Sequence, residues 1–277
     1  MKTPPREAFL ARCGYWIAAT DGGVFAYGGA PFLGSLPGRG ITTDGVVAIA
    51  AAPSGEGFWL AERSGAVHAF GSAPEVADLR ALGVAVDSVV AMAADPASDG
   101  LWLVSADGGV YCLGGARYFG SLPELEVTTT GVVAIEPSPT GHGYVLLSRD
   151  GGIFAFGDAE YFGSLPEQGV ETSDVVAMLC APDGYGVLRG DGRVSAFGGF
   201  VHLGEGAFDR GPIGAVAATT VGESGYYVVT SRGAVLPFGR VPFFGTPLTE
   251  AVSGTIVGIA VLPSTAAAVR QDARTRP

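Results

Sequence analysis

An all-β, six-bladed β-propeller of four-stranded blades, its ring closed by N- and C-terminal strands in one blade, is the fold this 277-residue sequence predicts. Three observations carry that prediction: a repeat of about forty residues that occurs six times, four short apolar runs within each repeat, and glycine-rich turns between the runs. Helical solenoids of similar period would show a 3.6-residue apolar spacing, which the short runs lack.

The first run of each copy opens at Gly14-Tyr15-Trp16, Gly57-Phe58-Trp59, Gly100-Leu101-Trp102, Gly143-Tyr144-Val145, Gly184-Tyr185-Gly186 and Gly225-Tyr226-Tyr227. A tight turn follows, as in Asp21-Gly22-Gly23 or Asp150-Gly151-Gly152, and then a second run such as Val24-Phe25-Ala26-Tyr27-Gly28. A third run is typified by Tyr118-Phe119-Gly120-Ser121-Leu122-Pro123. The fourth is rich in valine and alanine: Val46–Ala50, Val89–Ala93, Val132–Ile135, Val175–Met178, Ile213–Val216 and Ile256–Ile259. Its small side chains suit the innermost strand, where blades converge on the axis. The chain therefore starts on a second strand and ends on an innermost one, so the ring closes by pairing the two ends and removes a free sheet edge. The expected organisation is an N-terminal extension over 1–13, one propeller domain over 14–265 and a C-terminal tail over 266–277. Ala266–Arg270 resembles the start of a seventh copy and is expected to pack outside the ring or fray.

Glycine at 45 and proline at 18 fit many tight turns, and 48% hydrophobic residues suffice for a large core. The net charge of −11, with Lys2 the one lysine, leaves no basic stripe for phosphates, so neither nucleic acid nor an anionic membrane surface is an expected partner. Cys13, Cys112 and Cys180 are too few and too scattered for a disulfide framework. With neither a leader-like segment after Met1 nor a stretch long enough to span a membrane, the chain as given reads as cytoplasmic, and as extracellular if a leader has been removed. A monomer is expected.

The motif over Gly14–Ala30 and Gly143–Ala159, Gly-Tyr-aromatic or aliphatic, then Asp-Gly-Gly, then an apolar strand ending in glycine, resembles a tandem repeat of actinobacterial proteins assigned to propellers. The resemblance runs from about Gly14 to Pro263 and implies an accessory binding or scaffolding role, with no catalytic residues to carry over. Ser105–Gly109 and Ser148–Gly152 also resemble the first half of the Asp-box of sialidase propellers.

Several residues are candidates for chemistry. The Asp-Gly-Gly turns at Asp21, Asp107 and Asp150 lack the alternating oxygen ligands of a calcium loop and read as hairpin turns, so no metal or cofactor is assigned. The aromatic stripe including Tyr15, Trp16, Phe58, Trp59, Trp102 and Tyr144 could stack on sugars, but its mid-strand positions favour packing between blades. His68, His142 and His202 form no metal spacing. Gly186 stands where other copies carry a larger side chain, which predicts a cavity in that blade. Glu136 ends an innermost strand where the other copies have Ala50, Ala93, Leu179, Ala217 and Ala260, so it is the candidate general acid or base. The loops entering the innermost strands vary most, which marks Asp44, Asp87, Asp174 and Arg210 as candidate binding residues at a channel mouth.

Two function classes follow. The first is a non-catalytic module that recognises a carbohydrate or protein through one face of the ring. The second is an enzyme that uses the central channel and Glu136 for acid/base chemistry, such as hydrolysis, isomerisation or cyclisation of a small organic substrate. A multivalent binder should keep similar sites in several blades, whereas an enzyme should have one asymmetric pocket on the axis.

Overall fold

The computed structural model describes residues 13–129, 131–206, 214–221, 224–249 and 253–263. Among them are six antiparallel sheets, one per blade. Blade 1 is built from β1 (Gly14–Ala19), β2 (Val24–Gly28) and the last strand, β18 (Ile256–Val261). Blade 2 contains β3 (Val46–Ala51), β4 (Gly57–Glu62) and β5 (Val67–Gly71), and blade 3 contains β6 (Val89–Ala94), β7 (Leu101–Ser105) and β8 (Val110–Leu113). Blade 4 has β9 (Val132–Pro137), β10 (Gly143–Ser148) and β11 (Ile153–Gly157), and blade 5 has β12 (Val175–Ala181), β13 (Gly184–Arg189) and β14 (Val194–Gly198). Blade 6 comprises β15 (Ala215–Thr220), β16 (Gly225–Thr230) and β17 (Val235–Gly239). The chain thus forms the expected six-bladed propeller, and β18 pairs with β1 to close the ring, Trp16 lying opposite Ala260.

Burial on both faces explains the continuous apolar runs. The middle strands β1, β10 and β16 are buried at every position, because each blade is sandwiched between two others. The core is accordingly divided into clusters between successive blades. One joins Trp16, Val24 and Leu36 of blade 1 to Ile49, Phe58 and Phe70 of blade 2, and another joins blade 6 to blade 1 through Tyr227, Val229, Tyr15 and Ile17. A backbone latch repeats beside them: the first amide of an inner strand donates to the hairpin of the preceding blade, as in Val46 to the Thr20 carbonyl (3.1 Å), Val132 to Ala106 (2.8 Å) and Ile256 to Ser231 (3.0 Å).

The outermost run lies where the sequence places it, but in the described residues it forms no ladder strand, so each sheet has three strands. Its glycine explains this. Gly120 and Gly245 sit at φ of 127° and 142°, outside the range a strand uses. A Cβ there would meet Phe156 at 2.7 Å and Tyr27 at 2.5 Å, both in the following blade. Side chains fasten the segment instead. The Trp16, Trp59 and Trp102 indole N–H groups donate to the carbonyls of Pro31, Pro74 and Arg117 of their own blades, at 2.8, 2.8 and 2.7 Å. The Tyr144 and Tyr185 hydroxyls donate to Gly120 and Gly163 of the preceding blades, at 2.5 and 2.7 Å. At the ring joint Tyr15 does the same with Gly245 at 2.6 Å and accepts the Gly245 amide at 3.2 Å. Burial raises the Tyr15 hydroxyl's pKa, and that of Tyr185 to about 12, so both stay protonated donors.

Two expectations are corrected. No cavity stands at Gly186: Phe200, in the position that Ala30, Ala73, Ala116 and Ala159 hold in other copies, is buried there, with ring carbon Cε1 2.7 Å from where a Gly186 Cβ would lie. The inner strand of blade 6 is Ala215–Thr220, two residues beyond the sequence alignment. Thr219 opposite Tyr227, rather than Ala217, is therefore the counterpart of Glu136 opposite Val145. The sequence register slipped because Ala215–Ala218 offers small residues in either frame. Residues 1–12 of the expected 1–13 extension and the expected tail 266–277 lie outside the described residues.

Candidate functional site

The inner strands β3, β6, β9, β12, β15 and β18 surround an axial cavity of about 350 Å³. Its side chains are mainly valine, alanine, isoleucine and methionine, including Val47, Met92, Ile135, Met178 and Ile259, with the Thr219 hydroxyl among them. Glu136 is the one ionisable side chain among the described residues that line it. Ala134, two residues earlier, packs in the cluster between blades 4 and 5, and strand alternation puts Glu136 on that same face. No described residue makes a hydrogen bond or ion pair with its carboxylate. Glu136 is half-buried, and partial removal of its carboxyl from water pushes its pKa up to about 7. Its charge in turn opposes ionisation of the Cys180 thiol on β12, which burial already pushes up.

Asp44 and Asp87 are exposed just before β3 and β6, and Asp174 is half-buried just before β12, where it accepts a hydrogen bond from the Thr172 hydroxyl. Arg210 lies outside the described residues. The three aspartates share the mouth where inner strands begin, whereas Glu136 is the fifth residue of β9. At about 3.3 Å per residue the two levels are separated by roughly 20 Å. The structure therefore does not bring Glu136 together with the aspartates, and one pocket cannot use both.

The remaining charged candidates have local partners. Asp21, Asp107 and Asp150 each accept the amide of the second glycine of their turn, at 2.8, 3.1 and 3.1 Å. The Ser105 hydroxyl also donates to Asp107 at 2.5 Å, which holds that carboxyl below its ordinary range. His68 Nε2 meets Glu62 Oε1 at 2.7 Å, and His202 Nε2 lies 3.5 Å from Glu205. Among the described residues no group of three or more His, Cys, Asp or Glu could hold a metal ion, Cys112 and Cys180 are free thiols, and no helix is long and apolar enough to cross a membrane. The tryptophans and tyrosines of the middle strands are fully buried, so they offer no sugar-stacking face.

A different set of aromatic residues is exposed. Phe32, Tyr118, Tyr161 and Phe243 occupy the same position of the outermost segment in blades 1, 3, 4 and 6, and are 65%, 50%, 46% and 54% exposed. The next residue turns inward: Phe119, Phe162 and Phe244 lie against Gly157, Gly198 and Gly28 of the following blade. Within each doublet the first ring is therefore forced outward. The Tyr118 hydroxyl donates to Glu124 Oε2 at 2.7 Å and lies 2.9 Å from the Ser121 hydroxyl, and in blade 4 Tyr161 makes the equivalent hydrogen bonds to Ser164 and Glu167. Read from sequence as the outermost ladder strand of each blade, this run concealed the belt. The doublets Phe32-Leu33, Tyr118-Phe119, Tyr161-Phe162 and Phe243-Phe244 were the available signal.

No family model matches the chain, and no curated protein matches it. Among solved structures, a chain of a crystal structure of a nidogen/laminin complex superposes with a TM-score of 0.60 at 9% identity, covering 91% of this chain and 99% of that one. The sequence is thus far from that of its neighbour, and what the two share is the β-propeller fold.

Proposed function

We propose that this propeller is a non-catalytic binding module that recognises an extended carbohydrate or a protein through the aromatic belt on its circumference. The observation that carries the reading is the recurrence of an exposed ring at one register position in four blades, Phe32, Tyr118, Tyr161 and Phe243. Exposed aromatic side chains at rigid positions provide apolar contact at small entropic cost. The carboxylate and hydroxyl beside Tyr118 and Tyr161 favour a carbohydrate, since they supply hydrogen-bonding groups next to a stacking face. The superposed propeller comes from a complex of nidogen with laminin, which favours a protein. The likeness of the repeat to actinobacterial tandem repeats adds support for an accessory role. Acid/base catalysis on the axis has less support, because Glu136 has no second ionisable group beside it in the described channel lining.

The test is to compare wild-type protein with Tyr118→Ala/Tyr161→Ala on an oligosaccharide array and an array of folded protein domains. The double variant is expected to lose about tenfold or more in binding to any ligand found, with its melting temperature within about 2 °C of wild type. Undiminished binding by the double variant would rule the belt out.

A further inference from the structure

We propose that the axial channel is a second, separate binding site, one that takes a small organic ammonium ion on the Glu136 carboxylate. This inference is independent of the aromatic belt. Its first support is shape: the cavity of about 350 Å³ falls within the ~300–1,000 Å³ usual for small-molecule sites. Its second is charge. The described lining carries one ionisable group, Glu136, whose carboxylate has no hydrogen bond or ion pair from a described residue, and Thr219 is the one other polar side chain there. Glu136 is half-buried, so its charge is only partly solvated, and a cation brought in by a ligand supplies the partner that no described residue provides.

The donor set decides the class of cation. Calcium takes ~6–8 oxygen ligands, several of them usually carboxylates, and beside Glu136 the described lining adds only one side-chain oxygen, the Thr219 hydroxyl at the matching level of blade 6. A single carboxylate gives a divalent metal ion too little negative charge to replace its water shell. An ammonium group needs few acceptors, and its hydrocarbon body can lie against Val47, Met92, Ile135 and Ile259. The asymmetry around the ring agrees: Ala50, Ala93 and Ala260 hold the position of Glu136 in blades 2, 3 and 1, so space opens opposite the carboxyl.

Binding is linked to protonation. A carboxyl whose pKa is raised to about 7 is charged at pH 8 and neutral at pH 5.5. The other titratable group beside it is the Cys180 thiol of β12, which burial and the Glu136 charge keep protonated. The described channel-lining residues of β3, β6, β15 and β18 bring no ionisable side chain.

The experiment is calorimetric titration with cyclohexylammonium chloride, with cyclohexanol as the neutral control, together with a 13C NMR titration of the Glu136 carboxyl in wild-type protein. Cyclohexylammonium is expected to bind at pH 8, and to bind about tenfold or more weakly at pH 5.5 and in Glu136→Gln. Cyclohexanol should bind at least about tenfold more weakly at either pH. The probe should also lower the titration midpoint of the wild-type carboxyl, a readout that does not depend on the variant folding. Equal affinity for cyclohexanol, undiminished binding by folded Glu136→Gln, or no heat and an unmoved midpoint at about 20 mM probe would overturn the proposal.

Discussion

Glu136 shows most clearly what one residue does against the grain of the fold. Its carboxyl titrates near 7 when folded and near the ordinary glutamate value of about 4.3 when unfolded. A group whose folded pKa is raised favours folding in its protonated form. The penalty is therefore absent below about pH 4, grows as the pH climbs through the window to about 7, and is complete above it. The shift corresponds to at most about 3–4 kcal/mol, reduced by whatever screening water in the channel provides. Glu136→Gln is accordingly expected to unfold at the same urea concentration as wild type near pH 4 and to be more stable by about 1–3 kcal/mol at pH 8. A stability difference independent of pH would show that the carboxyl is not desolvated. The oddity of Glu136 was legible in the sequence because five other copies supply the comparison. Its separation from Asp44, Asp87 and Asp174 was legible as well, since Glu136 ends an inner strand and the aspartates precede theirs.

Blade 5 shows how an element can lose a key side chain and keep its packing. Blades 1, 2 and 3 fasten their outer segments with tryptophan, whereas blade 5 has Gly186 and fills the space with Phe200. Gly186→Val should overpack the site and cost about 1–3 kcal/mol. Phe200→Ala should leave a void and cost about 3–5 kcal/mol. The double variant Gly186→Trp/Phe200→Ala restores the pattern of the first three blades. It should be more stable than the sum of its single changes by about 1–3 kcal/mol in a urea double-mutant cycle, and strict additivity would mean the two positions do not exchange volume. The absence at Gly186 was visible in the aligned copies. The compensation at Phe200 was not, because it lies 14 residues away, in an outer segment whose contacts with the middle strand only the folded blade makes. The same difficulty hid the three-stranded blades: an aromatic run ending in glycine reads as a strand until its positive φ is seen.

At the scale of the whole molecule, the ring depends on joining residues some 230 apart in the chain. Tyr15 bonds to both the amide and the carbonyl of Gly245 across the closure, and β18 completes the first blade. Tyr15→Phe leaves those backbone groups without their partner and should cost about 1–3 kcal/mol in urea unfolding. The six-fold count, the position of the closing strand and the small inner residues were all legible because repetition turns one sequence into six aligned observations. The surface was less so, since alternation within an outer segment is decided by the neighbouring blade.

That surface holds the central functional claim, and valency tests it most directly. Calorimetric titration of wild-type protein with the strongest ligand from the arrays should give more than one site per chain, and Tyr118→Ala and Tyr161→Ala should each remove or weaken one of them. A single site per chain, unchanged when both tyrosines are removed, would contradict a belt of repeated sites and shift attention to the channel.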